Sequence, residues 1–164
     1  MNKALTEEIL AMLESDARLS AADMATMTGA SEEEIAAAVA ALEADKTIVK
    51  YTAIINSDKT SSDDAEALIE VKVVPKRGLG YDDLADRIAK FTEVKSVYLM
   101  SGAYDLSVVI KAASMKQISH FVFEKLAILD GVASTVTHFI MRKYKEQGVV
   151  LSATETEERL VISP

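Results

Sequence analysis

The sequence predicts an α+β protein of two domains, an N-terminal winged helix-turn-helix followed by a C-terminal ferredoxin-like βαββαβ domain. Three observations predict this class. Apolar residues recur at helical spacing before position 45, a polar segment occupies 56–65, and strand-like alternation begins directly after it. We therefore expect a first domain at 1–56, a linker at 57–65, a second domain at 66–148 and a C-terminal tail at 149–164.

The first predicted helix carries the apolar stripe Ile9, Met12 and Leu13. Thr6 is expected to cap its N-terminus, and the helix should stop near Asp16. This stripe provides one side of a small core.

The second predicted helix begins at Ser20, which is a good capping residue. It should bury Met24 and Met27 and end at Gly29, because glycine readily takes the left-handed conformation that follows a helix. A third helix after a turn of this kind would complete a helix-turn-helix.

The third predicted helix begins with a capping box formed by Ser31 and Glu34. Its buried stripe consists of Ile35, Val39 and Leu42. The segment Thr47–Ile55 follows and is rich in β-branched residues and tyrosine, which is typical of a strand. It should form the wing of the domain.

Strand and helix patterns alternate in the second domain. Ile69 and Val71 lie at alternate positions of a predicted strand, and Leu84 and Ile88 follow at helical spacing. Two strands, Val94–Met100 and Tyr104–Lys111, come next and should be joined by a tight turn at 101–103. Gly102 is expected to supply the backbone freedom of that turn.

The last helix and strand indicate what covers the sheet. A long helix capped by Ser114 and ended by Gly131 should lie on the same face as the first helix. The last strand, Val132–Tyr144, carries apolar residues on both sides, with Ala133, Phe139 and Met141 on one and Val132, Val136 and Ile140 on the other. Because helices cover only one face, we expect the open face to be buried against a second subunit. The tail should add a further strand at a sheet edge.

The composition excludes several classes of protein. A hydrophobic content of 49% is too high for a disordered chain, and the apolar runs are too short to span a membrane. We expect no signal peptide at the N-terminus. Cysteine is absent, which is typical of a reducing compartment and removes thiolate chemistry. We therefore expect a cytoplasmic protein.

No group of residues in the sequence suggests catalysis or metal binding. His120 and His138 are isolated, and neither has a second histidine at ligand spacing. No nucleophile, base and acid can be combined, and there is no phosphate-binding loop. We expect no enzyme activity, no metal and no cofactor.

Two segments resemble a known family. VKSVYLMSGAYDLSVVIKA and, further along the chain, LDGVASTVTHFIMRKYKEQG are similar to the effector-binding (RAM) domain of the leucine-responsive and asparagine-responsive regulators, the Lrp/AsnC family. Residues 16–51 also resemble that family's helix-turn-helix, so the resemblance covers nearly the whole chain. It implies a transcriptional regulator that forms a homodimer through its sheets, assembles further into tetramers or octamers, and binds double-stranded DNA.

The resemblance also implies an effector site. In such proteins a small molecule, commonly an amino acid, binds where subunits meet, beside a glycine-tyrosine-aspartate turn. The residues to which this role is carried over are Met100, Ser101, Gly102, Tyr104, Asp105, Thr135 and Thr137.

The charge of the first domain departs from the family pattern. The chain has a net charge of −8, and residues 1–60 contain five basic residues against eleven acidic ones. The third helix begins with Glu32–Glu34 and continues, where family members usually carry arginine or lysine, with Ala37, Ala38, Ala40 and Ala41. Nucleic-acid affinity comes mainly from cations at phosphates, so DNA binding should be weak.

The residues expected to support DNA binding are Lys3, Arg18, Ser31, Lys46 and Lys50. Repetition of these weak contacts in a multimer would strengthen them. The alternative interpretation is an effector-binding or protein-interaction oligomer that has lost sequence-specific DNA recognition.

Overall fold

The computed structural model of the protein divides into two compact units, Met1–Ile55 and Asn56–Pro164. It describes residues 3–61, 64–75 and 80–151. Within these ranges, no helix has both the length and the apolar character needed to cross a lipid bilayer.

The first unit consists of three helices, α1 (Lys3–Ser15), α2 (Ala21–Thr28) and α3 (Glu32–Ala44). All three contribute to its core, whose buried side chains are Ile9, Met24, Ile35, Ala38 and Leu42. Partly buried residues that pack around them include Leu5, Met12, Leu13 and Val39. The predicted apolar stripes of the first and third helices are therefore confirmed.

Helix α2 has the predicted caps at both ends, whereas only half of the capping box predicted for α3 is formed. Ser20 Oγ accepts a hydrogen bond from Asp23 N–H at 3.1 Å, and the Asp23 carboxylate accepts one from Ser20 N–H at 3.1 Å. Gly29 ends α2 with φ 75°, and Ser31 Oγ accepts from Glu34 N–H at 3.2 Å. Two helices joined in this way form a helix-turn-helix.

Three predictions for the first unit were wrong. Helix α1 begins at Lys3, so Thr6 is an internal residue and not the cap. Met27 is 64% exposed because it lies on the solvent side of α2. The segment Thr47–Ile55 contains no strand, since an extended segment needs a partner to form a ladder, and Ile48 packs on the core instead. The predicted wing is thus not a hairpin.

The second unit contains a four-stranded sheet and two helices. Its elements in chain order are β1 (Ala65–Val73), α4 (Tyr81–Ala89), β2 (Val94–Leu99), β3 (Leu106–Ala112), α5 (Met115–Phe121) and β4 (Val132–Phe139). The strand order is β2-β3-β1-β4, and every neighbouring pair is antiparallel. This confirms the predicted ferredoxin-like βαββαβ topology.

Both helices pack on one face of the sheet and enclose the larger core. The register places Ile69 beside Val108 and Val71 beside Leu106, so buried side chains align across the central strands. The buried residues of this core are Ala67, Ile69, Val71, Val73, Leu84, Ile88, Leu106, Val108, Ile110, Ile118, Phe121, Val122 and Leu126. The predicted alternation of β1 and the helical stripe of α4 are confirmed.

The last helix is shorter than predicted. Ser114 caps it as expected, since its hydroxyl accepts from Gln117 N–H at 3.3 Å. A π-helical turn, Val122–Leu126, replaces the last α-helical turns, and the helix ends well before Gly131. Gly131 has φ 94°, and its carbonyl accepts from Val74 N–H at 2.8 Å. It therefore shapes the approach to β4 and does not end the helix.

The last strand also differs from its prediction. It ends at Phe139 and not at Tyr144, so Ile140 and Met141 lie beyond it. A register shift pairs Val132 with buried Val73, which puts Val132 on the covered face and not on the open one.

The turn between β2 and β3 does not depend on glycine. Gly102 is not among the glycines with left-handed φ, and a Cβ added there would meet no atom within 4 Å. The connection is a longer loop, 100–105, so the chain can reverse direction without a left-handed residue at position 102. The predicted role of Gly102 was wrong.

A short hairpin follows β4, formed by β5 (Lys145–Glu146) and β6 (Val149–Val150). The predicted strand in the tail falls mostly on 152–164, which lie outside the described residues.

The start of the second unit is tied to this hairpin. A 3₁₀ turn covers Ser57–Lys59. Asn56 Nδ2 donates to the carbonyl of Leu151 at 2.8 Å, and Arg142 lies 3.4 Å from the carboxylate of Asp58. Residues 56–59 are therefore fixed to the body of the unit.

Candidate functional site

The loop between β2 and β3, residues 100–105, contains five of the predicted effector residues. Two backbone hydrogen bonds close its base. Met100 N–H donates to the carbonyl of Asp105 at 2.8 Å, and Asp105 N–H donates to the carbonyl of Val71 at 3.1 Å. The tip, 101–103, is exposed, and Tyr104 is half-buried. The sheet thus presents a loop with a fixed base and an accessible tip.

The carboxylate of Asp105 is already occupied. It accepts a hydrogen bond from Val73 N–H at 2.8 Å, and Lys72 Nζ lies 3.2 Å from each of its oxygens. The Val73 N–H is the main cause of a lowered pKa of Asp105, and Lys72 lowers it further. Only 18% of the side chain is exposed. The carboxylate of Asp105 therefore ties the loop to β1 and is not an exposed group facing solvent.

Thr135 and Thr137 lie on the covered face of the sheet. The register pairs them with buried positions of β1 and pairs Lys72, on the open face, with Ser134. One chain therefore does not bring the two threonines onto the same face as the ion pair of Lys72 with Asp105. A site using all of these residues would need a contribution from a second copy.

Lys72 is a candidate functional residue that sequence reasoning missed. The alternation of β1 placed it on the face opposite the core, but the residue that it contacts is 33 positions away in the chain. No local pattern could reveal that contact. The antiparallel pairing of β1 with β3 creates it.

The open face of the sheet mixes apolar and charged side chains. Leu68 is half-buried, and Tyr98 and Val136 are more than half exposed. In the same region, His138 Nε2 lies 3.4 Å from Glu70. An exposed surface with aromatic and β-branched side chains is typical of a face that another chain covers.

Two surface cavities lie away from the 100–105 loop. The larger, about 520 Å³, lies between α5 and the ends of β2 and β3 and includes the ion pair of Lys125 with Glu93, 2.5 Å long. The hydrogen bond from Lys125 is the main cause of a lowered pKa of Glu93. The smaller, about 390 Å³, lies near the start of β1. Neither cavity is lined by a predicted effector residue.

The exposed side of α3 carries no cation. Glu32–Glu34 are exposed in its first turn, followed by exposed alanines at Ala36, Ala37, Ala40 and Ala41. Ala38 is buried in the core, so its assignment to the DNA-facing side was wrong. Alanine can contact a thymine methyl group, but it cannot make the bidentate hydrogen bonds that usually specify bases.

The four predicted DNA-contacting cations are exposed but lie on separate segments. Lys3 begins α1, Arg18 lies between α1 and α2, and Lys46 and Lys50 follow α3. The hydroxyl of Ser31, also predicted, is used as the N-cap of α3. The structure thus gathers none of these residues on the exposed side of α3.

Each histidine lies near one carboxylate. His120 Nδ1 lies 3.5 Å from the carboxylate of Glu124. His138 Nε2 lies 3.4 Å from the carboxylate of Glu70 on the open face. Across residues 3–61, 64–75 and 80–151, no three or more acidic or histidine side chains converge to hold a metal ion.

Comparison with known proteins gives a family match for most of the second unit. Residues 66–150 match the model of the Lrp/AsnC ligand-binding domain. The chain is 46% identical over 158 residues to YugG of Bacillus subtilis, an uncharacterized HTH-type transcriptional regulator, and this covers 96% of the chain and 95% of the relative.

Solved structures share the fold. LrpA, the leucine response regulatory protein of Mycobacterium tuberculosis, superposes with a TM-score of 0.73 at 19% identity, covering 93% of this chain and all of the other. The regulator NMB0573 of Neisseria meningitidis, solved as an L-Met complex, superposes with a TM-score of 0.70 at 22% identity, covering 89% of this chain and 93% of the other.

Proposed function

The chain is a transcriptional regulator of the Lrp/AsnC family and not an enzyme, and we propose that an amino acid bound where subunits meet controls its DNA binding. The observation that carries this proposal is the combination of a helix-turn-helix unit with a unit that matches the family's ligand-binding domain. A ligand changes DNA affinity only if it binds one state of the protein more tightly than another. The effector would therefore shift the protein between assemblies or head orientations.

The open face of the sheet is the proposed dimer surface. Two helices cover one face, while Tyr98 and Val136 are exposed on the other, so a second copy packed face to face would remove apolar area from water. Such dimers would assemble further into tetramers or octamers. Val136→Glu should dissociate the dimer in analytical ultracentrifugation, and Met27→Glu, an equal charge change at an exposed site of the first unit, should not. A dimer unaffected by Val136→Glu would place the interface elsewhere.

An amino-acid effector is supported by the ligand of a structural neighbour. The Neisseria regulator was solved with L-Met. In this chain the proposed contacts are Met100, Ser101, Gly102 and Tyr104 of one copy, with Asp105 fixing the base of the loop and with Thr135 and Thr137 supplied by another copy. Each of the twenty amino acids should be tested by thermal shift on the full chain. At least one should raise the melting temperature, and a screen in which none does so would rule out the amino-acid effector.

DNA binding is proposed through the helix-turn-helix, with few phosphate contacts. The exposed cations Lys3, Arg18, Lys46 and Lys50 are spread over the unit, so affinity should depend on several copies binding together. Fluorescence anisotropy with the DNA upstream of the chain's own gene should show binding at low salt that weakens as salt is raised. Absence of binding at low salt, with and without amino acids, would rule out this form of the proposal.

A second candidate function is favoured by α3. Its exposed side carries Glu32–Glu34, whose negative charges would repel phosphates. The exposed alanines that follow have no side-chain groups for hydrogen bonds to base edges. On this alternative the protein is an effector-binding or protein-interaction oligomer without sequence-specific DNA recognition. Ligand-dependent stabilisation with no DNA binding at any salt concentration would select it over the first proposal.

A further inference from the structure

Lys72 connects the open face of the sheet with the predicted effector loop. Its ammonium lies 3.2 Å from both carboxylate oxygens of Asp105, the last residue of the loop. Lys72 is 48% exposed. Its ladder partner on β4 is Ser134, which is exposed. A cation and a hydroxyl are thus placed side by side in solvent at the loop's base.

Asp105 is poorly suited to receive a ligand. It already accepts hydrogen bonds from Val73 N–H and from Lys72, and little of its side chain is exposed. A ligand ammonium would have to displace Lys72 from it. A lysine ammonium, by contrast, has three N–H donors, and Asp105 uses at most two of those on Lys72.

We propose that Lys72 binds the carboxylate of the effector, with the Ser134 hydroxyl as a second donor and Asp105 as a positioning residue. Asp105 fixes the long, flexible lysine side chain before the ligand arrives, which lowers the entropy lost on binding. This inference rests on the proposed effector function and defines its ligand class as small carboxylates. The ligand's α-ammonium is not needed at this contact.

Lys72 supplies the cation at the base of the loop, and two carboxylates, Asp105 and Glu70, lie near it on the same face. A ligand carboxylate would therefore have to be held by direct hydrogen bonds from the remaining N–H donor of Lys72 and from the Ser134 hydroxyl, and not by a general excess of positive charge. Hydrogen bonds to charged groups are strong enough for a single lysine to matter to affinity.

Another lysine on the same sheet face provides a matched control. Lys111 forms an ion pair with Asp64 at 3.1 Å and is 41% exposed. It lies on β3 opposite Glu66, at the other end of the face from Lys72. Lys111→Met therefore removes a similarly exposed charge and an ion pair of similar length, but far from the 100–105 loop.

The test is isothermal titration calorimetry on the full chain, using each amino acid that stabilises it in the thermal-shift screen. Lys72→Met should weaken binding about ten-fold or more, Lys72→Arg should weaken it less because it keeps the charge, and Lys111→Met should leave affinity unchanged. Circular dichroism checks that each variant is folded.

A second arm needs no mutation. The 2-oxo acid of the same amino acid keeps the carboxylate and should still bind the unaltered protein, whereas the amide loses it and should bind about ten-fold more weakly or worse. Equal affinity for amide and acid, or an unchanged affinity in Lys72→Met, would overturn the role of Lys72 and leave the proposed function standing. If no amino acid stabilises the unaltered chain, both proposals fail.

Discussion

The two units of the chain differ in how much core holds them together. Within the residues that the structure describes, the first unit buries five apolar residues, whereas the second buries thirteen. Since hydrophobic stabilisation grows with the apolar area buried, the first unit has a much smaller reserve. The unit that would meet DNA is therefore the one closer to its stability limit.

The units also differ in how their charges are used. In the second unit, lysines pair with carboxylates from distant segments, as Lys72 does with Asp105 and Lys143 with Glu66. In the first unit, the exposed Glu32–Glu34 form the first turn of α3, a helix that contains no cation. Charged side chains therefore link separate segments in the second unit, whereas the acidic first turn of α3 would repel phosphates.

The largest expected effect is a loss of stability when an isoleucine in either core is truncated. Ile35→Ala and Ile110→Ala each truncate a fully buried isoleucine and should each cost about 2–5 kcal/mol. We expect Ile35→Ala to unfold the first unit and leave the second intact, and Ile110→Ala to lower the melting temperature of a second unit that stays folded. Amide hydrogen exchange resolved by mass spectrometry measures both units in one sample. Loss of protection throughout the chain in Ile35→Ala would contradict independent stability.

The next effect concerns DNA. Ala37→Lys with Ala41→Lys adds two cations to the exposed side of α3, and we expect about ten-fold tighter binding at low salt. The slope of log K against log salt should steepen by about 1.8. Anisotropy titrations measure both quantities.

The control for that experiment adds the same charge elsewhere on the first unit. The control variant combines Ala11→Lys with Ala17→Lys, two exposed positions outside α3. If the control tightened binding as much as the α3 pair, α3 would not be the element that faces DNA.

A smaller effect contrasts two glycines. Gly29 has φ 75°, which strains any residue with a Cβ, so Gly29→Ala should cost on the order of 1 kcal/mol in urea denaturation. Gly102→Ala should change the free energy of unfolding by less than about 0.5 kcal/mol, because nothing lies near its Cβ. A larger loss at Gly102 than at Gly29 would restore the sequence-based prediction for the turn.

The smallest effect is in the pH dependence of stability. The pKa of Asp105 is lower in the folded protein than in the unfolded chain, so its ionised form stabilises the fold above the unfolded pKa. That contribution is lost as pH falls through the folded pKa. Asp105→Asn should therefore be less stable than the unaltered protein at neutral pH, with a difference that shrinks on acidification.

Glu33→Gln is the matched control for that measurement, since it removes an exposed negative charge from the first unit. Urea denaturation across pH should give nearly parallel curves for Glu33→Gln and the unaltered protein. A constant difference for Asp105→Asn down to acidic pH would show that the ionised carboxylate does not supply the stability.

The fold could be predicted where the signal is local. Ser20, Gly29 and Ser114 act as caps as their residue types indicate, and β1 alternates between core and solvent. The prediction failed where tertiary context decides. The β-branched segment 47–55 has no neighbouring strand, and the π-helical turn at 122–126 leaves no mark in the apolar spacing of the helix.

The candidate site was less predictable than the fold. The 100–105 loop could be found from its resemblance to a family, but the environment of Asp105 could not, because Lys72 and Val73 reach it across the sheet. Thr135 and Thr137 were assigned to the site through the family resemblance alone. Their actual face depends on the pairing of β1 with β4, which a register shift modifies near Val73.

The hydrogen bond from Asn56 to Leu151 joins the first residue of the second unit to the residue that follows its small hairpin. The point at which the chain enters this unit is thus held by a contact inside the unit itself. Exchange of the first unit for another would leave that contact in place, so the sheet domain could accept a different N-terminal partner at the same junction.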